Sequence, residues 1–486
     1  MSIPLHVLSR KPGAPGIVEQ APGFEPARVI EVEIGQPLPD VPACDAQTDR
    51  HYQRALCLVR LHTQPLGLVE LQLDEHGVSA EEYAAHIWQA LSEKINTHLR
   101  QDHLPALTVL SARGVSNPGT PACLEERARF VAQAPFVSVI VPTRNRPEQV
   151  RRHLRSLLAL HYPRYEIIVV DNAPSSAATA DLIQQTYGNV PRVRYVREDR
   201  PGSSWARNRG MMAARGEILA FADDDVVIDR YWLVELVRAF SRADGVACVT
   251  GLVLPVELET PPQFWIEEYG GFSKGFTRHI FNMIENHPKT PLYPYTAGRL
   301  GTGASMAFTT AFLHSIGGFD PALGPGSPSQ GGEDLALFFQ AITQGYTLVY
   351  EPASLAYHPH HREYAGLRKQ IYNYGVGLAA FLMKNILDNP QLLVDFVTKV
   401  PYGLYFALSA RSPKNSKKSK NYPQELTMLE RKGMLYGPFA YLYSRWTMRN
   451  IRKDFEPAEA VPTSTAAEEV SVLNYHIHEH KNGKYS

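Results

Sequence analysis

Apolar and polar positions alternate first at Ile30, Val32 and Ile34, with Glu31 and Glu33 between them, the period of a strand buried on one face. Ala55 to Leu61 and Leu66 to Leu73 flank His62-Thr63-Gln64-Pro65, and this arrangement predicts a hairpin. Ser79-Ala80-Glu81-Glu82 is a capping box, which satisfies the first orphan amides of a helix. Ile87, Leu91, Ile95 and Leu99 then recur every fourth position, on one face of that helix. Residues 28–114 therefore read as a small α+β module, and no constellation within it points to chemistry. Residues 1–27, rich in Pro and Gly, read as a loose leader. Residues 115–134, with Pro118, Gly119 and Pro121, read as a linker.

From residue 135 the pattern changes. Val137 to Val141 is a continuous apolar run, as in a strand covered on both faces. Pro142-Thr143-Arg144-Asn145 follows it, and a helix is predicted from Pro147, with Val150, Leu154, Leu157 and Leu158 on one face. A second buried strand, Ile167 to Val170, runs into Asp171-Asn172. A third, Val193 to Val196, precedes a predicted helix over Ser204 to Ala214, and Ile218 to Ala222 leads directly into Asp223-Asp224-Asp225. Strands alternating with helices imply an α/β fold with a doubly wound, mostly parallel sheet. Functional residues then belong at the carboxyl ends of the strands, where Asp171 and the three aspartates stand.

The chain has 486 residues, enough for two or three domains at about 150 residues each. Hydrophobic residues make up 44% and charged residues 20%, which excludes global disorder and a collagen-like repeat. No apolar run approaches the ~20 residues that cross a bilayer, and no secretory signal is visible. The expected location is cytoplasmic. Cys44, Cys57, Cys123 and Cys248 are widely spaced, so neither a disulfide framework nor a structural zinc is expected. Formal net charge is zero, yet Arg362 to Lys453 carries 16 Lys/Arg against 5 Asp/Glu. That imbalance is either a solvated face or an attraction for anionic partners.

Candidate chemistry gathers at a few places. Three adjacent carboxylates at Asp223, Asp224 and Asp225 repel one another. A divalent cation preferring oxygen, Mg²⁺ or Mn²⁺, relieves that repulsion; an N-cap cluster for a helix opening near Arg230 is the bland reading. Asp171 is a turn aspartate or an acceptor for a ring N–H of a uracil or thymine base. Arg207 and Asn208 fall on a predicted helix, where Arg207 is a surface residue or a phosphate partner. Glu333-Asp334 opens another helix, either to suit its dipole or to supply a general base. His358, in His358-Pro359-His360-His361, is structural or a further metal ligand. His476, His478 and His480 read as a solvated tail. GxxxxGK[ST], GxGxxG and HExxH do not occur, which disfavours P-loop nucleotidases, Rossmann dehydrogenases and zincins.

Taken together, VSVIVPTRNR, YEIIVVDNAPSS, SSWARNRGMMAARGEILAFADDD, GTGASMAF, IGGFDPALGPGS and GGEDLALFFQAITQGYTLVYEP resemble the family 2 glycosyltransferases of GT-A fold. The likeness runs over about residues 136–385. It implies a catalytic domain at 135–385 that moves a sugar, with inversion, from a nucleotide diphosphate sugar to an acceptor hydroxyl. Carried over by position, the resemblance gives Pro142, Thr143, Asn145 and Asp171 to the nucleoside pocket and Arg207 and Asn208 to the donor. Asp223 and Asp225 match the ends of the family's DxD motif, on the ribose and the metal, with Asp224 between them in the donor set. Asp334 matches the proposed base, Glu333 lies beside it, and His358 matches a position that completes the metal shell in some relatives. Between Glu257 and Arg299, Trp265 and Tyr269 beside Gly270-Gly271 mark either an acceptor-facing loop or a hydrophobic anchor.

Beyond residue 385 the likeness thins. Leu404 to Leu408 and Met434 to Tyr443 flank Lys414, Lys417, Lys418 and Lys420. A helical basic region at 386–455, ahead of a polar tail at 456–486, suits peripheral attachment to an anionic inner membrane face and a glycan or lipid-linked acceptor. No nucleic-acid partner is expected. Two other functions remain as alternatives, a sugar nucleotidyltransferase and a non-catalytic glycan-binding scaffold. The first lacks its Gly-rich signature here, and the intact acids speak against the second.

Overall fold

The computed structural model describes residues 24–454, without 47, 117, 118 and 417 and without the side chains of 452–454. Most of the expected leader, Pro118 of the linker, Lys417 and the histidines of the tail lie outside the described residues. The described residues up to Met448 belong to one compact unit; a second begins at Arg449, and its described residues, 449–454, are helical.

The N-terminal strands are β1 (Ala27–Glu33), β2 (Cys44–Asp45), β3 (Arg50–His51), β4 (Arg54–Leu61) and β5 (Gln64–Gln72). β1 runs parallel to β4, β4 and β5 form an antiparallel hairpin, and β2 pairs with β3. The hairpin turn is shorter than the sequence predicts. Only His62 and Thr63 form it, both at positive φ (53° and 70°), the geometry of tight two-residue turns. Gln64 and Pro65 instead open β5, where a proline is tolerated because β5 is an edge strand. α1 (Ala80–Gln101) starts where expected, with Ser79 Oγ accepting from Glu82 N. Ile87, Leu91, Ile95 and Leu99 are buried against Val59, Leu61 and Val69, each burial worth roughly 1.5–3 kcal/mol.

The expected linker contains a helix, α2 (Ala122–Ala132). Pro121 caps it, and its buried residue is Arg127, whose Nε donates to Glu235 at 2.6 Å. A helix held by an ion pair to a distant segment leaves little apolar periodicity to read.

The central region continues with β6 (Val137–Thr143), α3 (Pro147–Leu158), β7 (Tyr165–Asn172), α4 (Ala178–Leu182), β8 (Val193–Glu198), α5 (Ser203–Ala213), β9 (Ile218–Phe221) and β10 (Val227–Ile228). Then come α6 (Trp232–Arg238), β11 (Val246–Pro255), α7 (Pro261–Tyr269), β12 (His279–Phe281), β13 (Met306–Thr309), α8 (Thr310–Ser315), α9 (Glu333–Thr343) and β14 (Thr347–His358). Their nine-stranded sheet has the order β10-β14-β11-β13-β9-β6-β7-β8, with β12 also on β14. β6, β7, β8, β9, β11 and β14 point one way; β10, β12 and β13 oppose them. The fold is thus α/β with a mostly parallel sheet. The continuous apolar runs of β6 and β7 are buried on both faces, as helices packed on each side require.

Three helices close the described chain: α10 (Tyr364–Asp388), α11 (Leu392–Leu408) and α12 (Gln424–Asp454). α10 runs through the boundary expected at residue 385. The C-terminal region is helical, and among the described residues no helix is long and apolar enough to cross a membrane.

Candidate active site

Strand direction assembles the site. The carboxyl ends of β6, β7, β9 and β14 deliver Thr143, Asp171-Asn172, the aspartate triplet and His358 to one edge of the sheet. β13 is antiparallel, so its preceding loop, Gly301-Thr302-Gly303, reaches the same edge. There a cavity of about 870 Å³ is lined by Pro142, Thr143, Arg207, all three aspartates, Glu333, Asp334 and His358 among others, within the range of small-molecule sites.

The three aspartates have different surroundings. Asp224 is buried and committed: its Oδ2 accepts from Thr143 Oγ1 at 2.6 Å and its Oδ1 from Arg146 Nη1 at 3.1 Å. Asp223 Oδ1 accepts from Arg207 Nη2 at 3.1 Å. Asp225 Oδ1 is buried without a hydrogen-bond partner and lies 3.7 Å from His358 Nε2. Burial holds the His358 imidazole below its usual value, which favours the neutral ring with a lone pair to offer. A bare carboxylate oxygen and a neutral imidazole aimed at each other fit a divalent cation.

Across the cavity, Gly332 sits at φ 87° as the N-cap of α9, a conformation costly for any residue with a Cβ. A Cβ there would also meet the Gly377 carbonyl oxygen at 2.5 Å. This close approach of α10 fixes where Glu333 and Asp334 start. Glu333 Oε1 accepts from Arg207 Nη1 at 2.5 Å, so one buried guanidinium ties the helix start to Asp223. Asp334 accepts from Gly303 N at 2.9 Å and from Leu335 N at 2.8 Å. Burial, and then the charge of Glu333, push its carboxyl up to about 6. A carboxylate with that value takes a proton readily near neutrality.

Of the other residues singled out in the sequence, Pro142, Thr143 and Tyr269 line the cavity, whereas Asn145, Asp171, Asn208 and Trp265 do not. Asn145, at φ 55°, uses its Oδ1 to accept from Ser175 N and Oγ. Asp171 is fully buried beside Thr143, its register partner. Its Oδ2 accepts from Tyr195 Oη at 3.1 Å, and its Oδ1 has no hydrogen-bond partner. Asn208 is occupied with the Phe319 backbone, donating to its oxygen and accepting from its nitrogen. Trp265 packs in a separate core with Tyr364, Leu367 and Tyr422, the anchor of the two readings open for that loop. Tyr269 donates to Glu430 at 2.7 Å.

The cavity also holds Arg146, Lys274 and Tyr374, none of them legible in advance. Burial pushes the Lys274 ammonium down to about 8. Its signal was available only as a lysine in a loop between Gly271 and Gly275.

Known proteins resemble this chain over part of its length. Residues 138–299 match the sequence model of Glycosyl transferase family 2. The pre-mycofactocin glycosyltransferase of Mycobacterium tuberculosis is 25% identical over 224 residues, which cover 46% of this chain and 43% of that protein. The O-antigen biosynthesis protein RfbC of Myxococcus xanthus is 30% identical over 212 residues, 41% of this chain and 16% of that one. The chain thus spans less than half the length of these relatives. A solved mannosyltransferase from Pyrobaculum calidifontis, in complex with GDP-Man and Mn²⁺, superposes with a TM-score of 0.40 at 18% identity, covering 68% of this chain and 95% of that one. On its sequence motifs and the matched segment, the chain carries a family 2 glycosyltransferase domain.

Proposed function

We propose that the protein is an inverting glycosyltransferase that moves a sugar from a nucleotide diphosphate sugar to an acceptor hydroxyl, in the synthesis of a glycan, polysaccharide or lipid-linked sugar. One observation carries the reading: Arg207 joins Asp223 and Glu333, so the acidic end of β9 and the start of α9 face one cavity as a single charged framework. Pro142 and Thr143 border the nucleoside. Asp171 stands behind Thr143 at the end of β7, off the cavity wall, with a bare buried oxygen; on this reading it backs the pocket of a UDP- or dTDP-linked donor. Asp225 and His358 would hold Mg²⁺ or Mn²⁺. A divalent cation there supplies charge stabilisation to the departing diphosphate. Asp334 takes the proton of the acceptor hydroxyl as its oxygen bonds to the anomeric carbon. The bond from that carbon to the diphosphate oxygen breaks on the opposite face, and its electron pair leaves with the diphosphate. A single displacement of this kind inverts the anomeric centre.

The test is release of free nucleoside diphosphate from a panel of UDP- and dTDP-sugars with Mn²⁺. Asp225→Ala and Asp334→Ala variants with unchanged unfolding temperatures are expected to lose turnover. Equal rates in the parent and both folded variants would overturn the assignment.

The acceptor side extends to a membrane surface. On α12, Leu435, Phe439, Leu442, Tyr443 and Trp446 are exposed and fall on one helical stripe. Exposed Leu393, Val394, Val397, Leu404 and Leu408 form another on α11. Apolar stripes within a segment of 16 basic and 5 acidic residues match an anionic lipid interface, where each basic residue adds ~1 kcal/mol. Sedimentation with phosphatidylglycerol vesicles, but not with phosphatidylcholine, is expected, and Phe439→Asp should weaken it. Failure to sediment with either at low salt refutes attachment.

A further inference from the structure

The accessory module contains a second cluster of ligand-type side chains, away from the catalytic cavity. His62 stands in the β4–β5 turn, His98 in the last turn of α1, Asp102 just past that helix, and Cys123 in the first turn of α2. One donor atom from each lies within 4.8 Å of the other three. His62 Nδ1 is 3.1 Å from His98 Nε2 and 2.7 Å from Asp102 Oδ2. His98 Nε2 is 3.2 Å from the same oxygen, and Cys123 Sγ is 3.1 Å from it. We propose that these four residues form a structural site for one divalent metal ion of the zinc class, which pins α1, α2 and the β4–β5 turn together.

The geometry is close to what such an ion requires. With Zn–N near 2.0–2.1 Å and Zn–S near 2.3 Å in a tetrahedron, donor atoms lie about 3.3–3.7 Å apart. The shorter contacts must spread by a few tenths of an ångström, and a pair at the 4.8 Å limit must close by about 1 Å. The unmetallated arrangement crowds two ring nitrogens and a sulfur around one carboxylate oxygen, and two ring nitrogens 3.1 Å apart cannot both carry hydrogen toward each other. The donor set also balances charge. A thiolate and a carboxylate neutralise a 2+ ion, the imidazoles stay neutral, and the thiol proton passes to solvent. Imidazole with thiolate favours zinc over magnesium or calcium.

The surroundings are built for it. His62, His98 and Asp102 are buried, Cys123 is half-buried, and Leu61, Ile95, Leu99, Leu104 and Val115 belong to the core at this end of the module. The other oxygen of Asp102 accepts from Cys123 N at 2.8 Å, which orients the carboxylate as second partners of metal ligands do. Glu33 accepts from His62 N at 3.0 Å and Thr63 N at 2.7 Å, holding two non-glycine residues at positive φ.

The full chain, purified without added metal and dialysed, is expected to retain about one zinc per chain by elemental analysis. The Asp225→Ala variant should retain the same amount, which separates this site from the catalytic one. In protein reloaded with cobalt, a thiolate-to-cobalt charge-transfer band should appear, and Cys123→Ser should abolish it while conserving side-chain size. A strong chelator should lower the unfolding temperature of the parent, because an ion bound only to the folded state stabilises it. It should leave that of His98→Ala/Cys123→Ser unchanged. A folded parent with no zinc, no cobalt band and no chelator effect overturns the proposal, as does zinc retention undiminished in the double variant.

Discussion

Asp334, the base of the proposed reaction, lines the cavity and has a raised proton affinity. Two backbone amides fix its orientation, while burial and Glu333 lift its value to about 6. Asp334→Asn is expected to slow sugar transfer by about 10²–10⁴-fold, with KM for the donor little changed in initial-rate assays. The sign for stability is opposite. A carboxyl whose folded value is raised destabilises the ionised native state at neutral pH. The asparagine variant should therefore unfold at the same temperature or higher at pH 7.5, read by scanning calorimetry. The pH–rate profile follows from the same cause. Turnover should fall as pH drops through about 6, where Asp334 takes up its proton and no longer accepts one, together with Asp223 and Asp224, which burial also raises to about 6. Glu333→Gln removes a charge that raises Asp334 and releases Arg207 to act on it more strongly. Its acid limb should move to lower pH; a limb that stays in place or rises separates the limb from Asp334.

At the level of elements, local pattern revealed much and long-range pairing little. β6, β7 and β9 were legible because a strand covered on both faces is a continuous apolar run. α1 was legible because its cap and its stripe lie within one segment. α2 was not, since Arg127 is held by Glu235, more than a hundred residues away. The same reason hid Arg146 and Lys274 in the cavity, and it hid the cluster of His62, His98, Asp102 and Cys123. No spacing rule joins a hairpin turn to two helix ends. Conversely, Asn208 and Trp265 carry motif-like positions while their side chains serve packing and backbone support. In the proposed mechanism the element that matters most is the start of α9, set by α10. A Cβ on Gly377 would lie 2.9 Å from the Gly331 carbonyl carbon, a distance backbone must move to accept. Gly377→Ala is expected to displace Glu333 and Asp334. A misplacement near 1 Å costs about 10²-fold in rate, so kcat should fall far more than the unfolding temperature. An equal fall in both, measured by initial rates and thermal unfolding of one preparation, would mean that the contact only supports stability.

For the whole molecule, the question is what the N-terminal module expected from the sequence does to the sheet that carries the candidate site. Arg60 answers part of it. Its buried guanidinium donates to Glu31 at 2.9 Å within the module and to Asp229 at 2.8 Å in the catalytic domain. Glu31 in turn accepts from Tyr357 Oη at 2.6 Å, and Tyr357 is the neighbour of His358 on β14. The module thus grips the strand end that presents the imidazole of the candidate metal pair. Replacing Arg60 by Ala leaves two carboxylates facing each other with no cation between them. Removing one partner of a buried ion pair costs about 3–5 kcal/mol, so Arg60→Ala should lower the unfolding temperature clearly. If the grip also orients β14, the Mn²⁺ concentration that gives half-maximal turnover should rise in the same variant, because the His358 ring loses its fixed direction. Tyr357→Phe isolates that second effect. It removes only the hydroxyl that reaches Glu31 and leaves the Arg60 pairs in place, so most of the stability should remain while the Mn²⁺ requirement still shifts. A Mn²⁺ titration of turnover in the three proteins decides between the two roles. An unshifted midpoint in both variants would confine the module to stabilising the domain it rests on, whereas a shift in both makes it part of how the metal site is held.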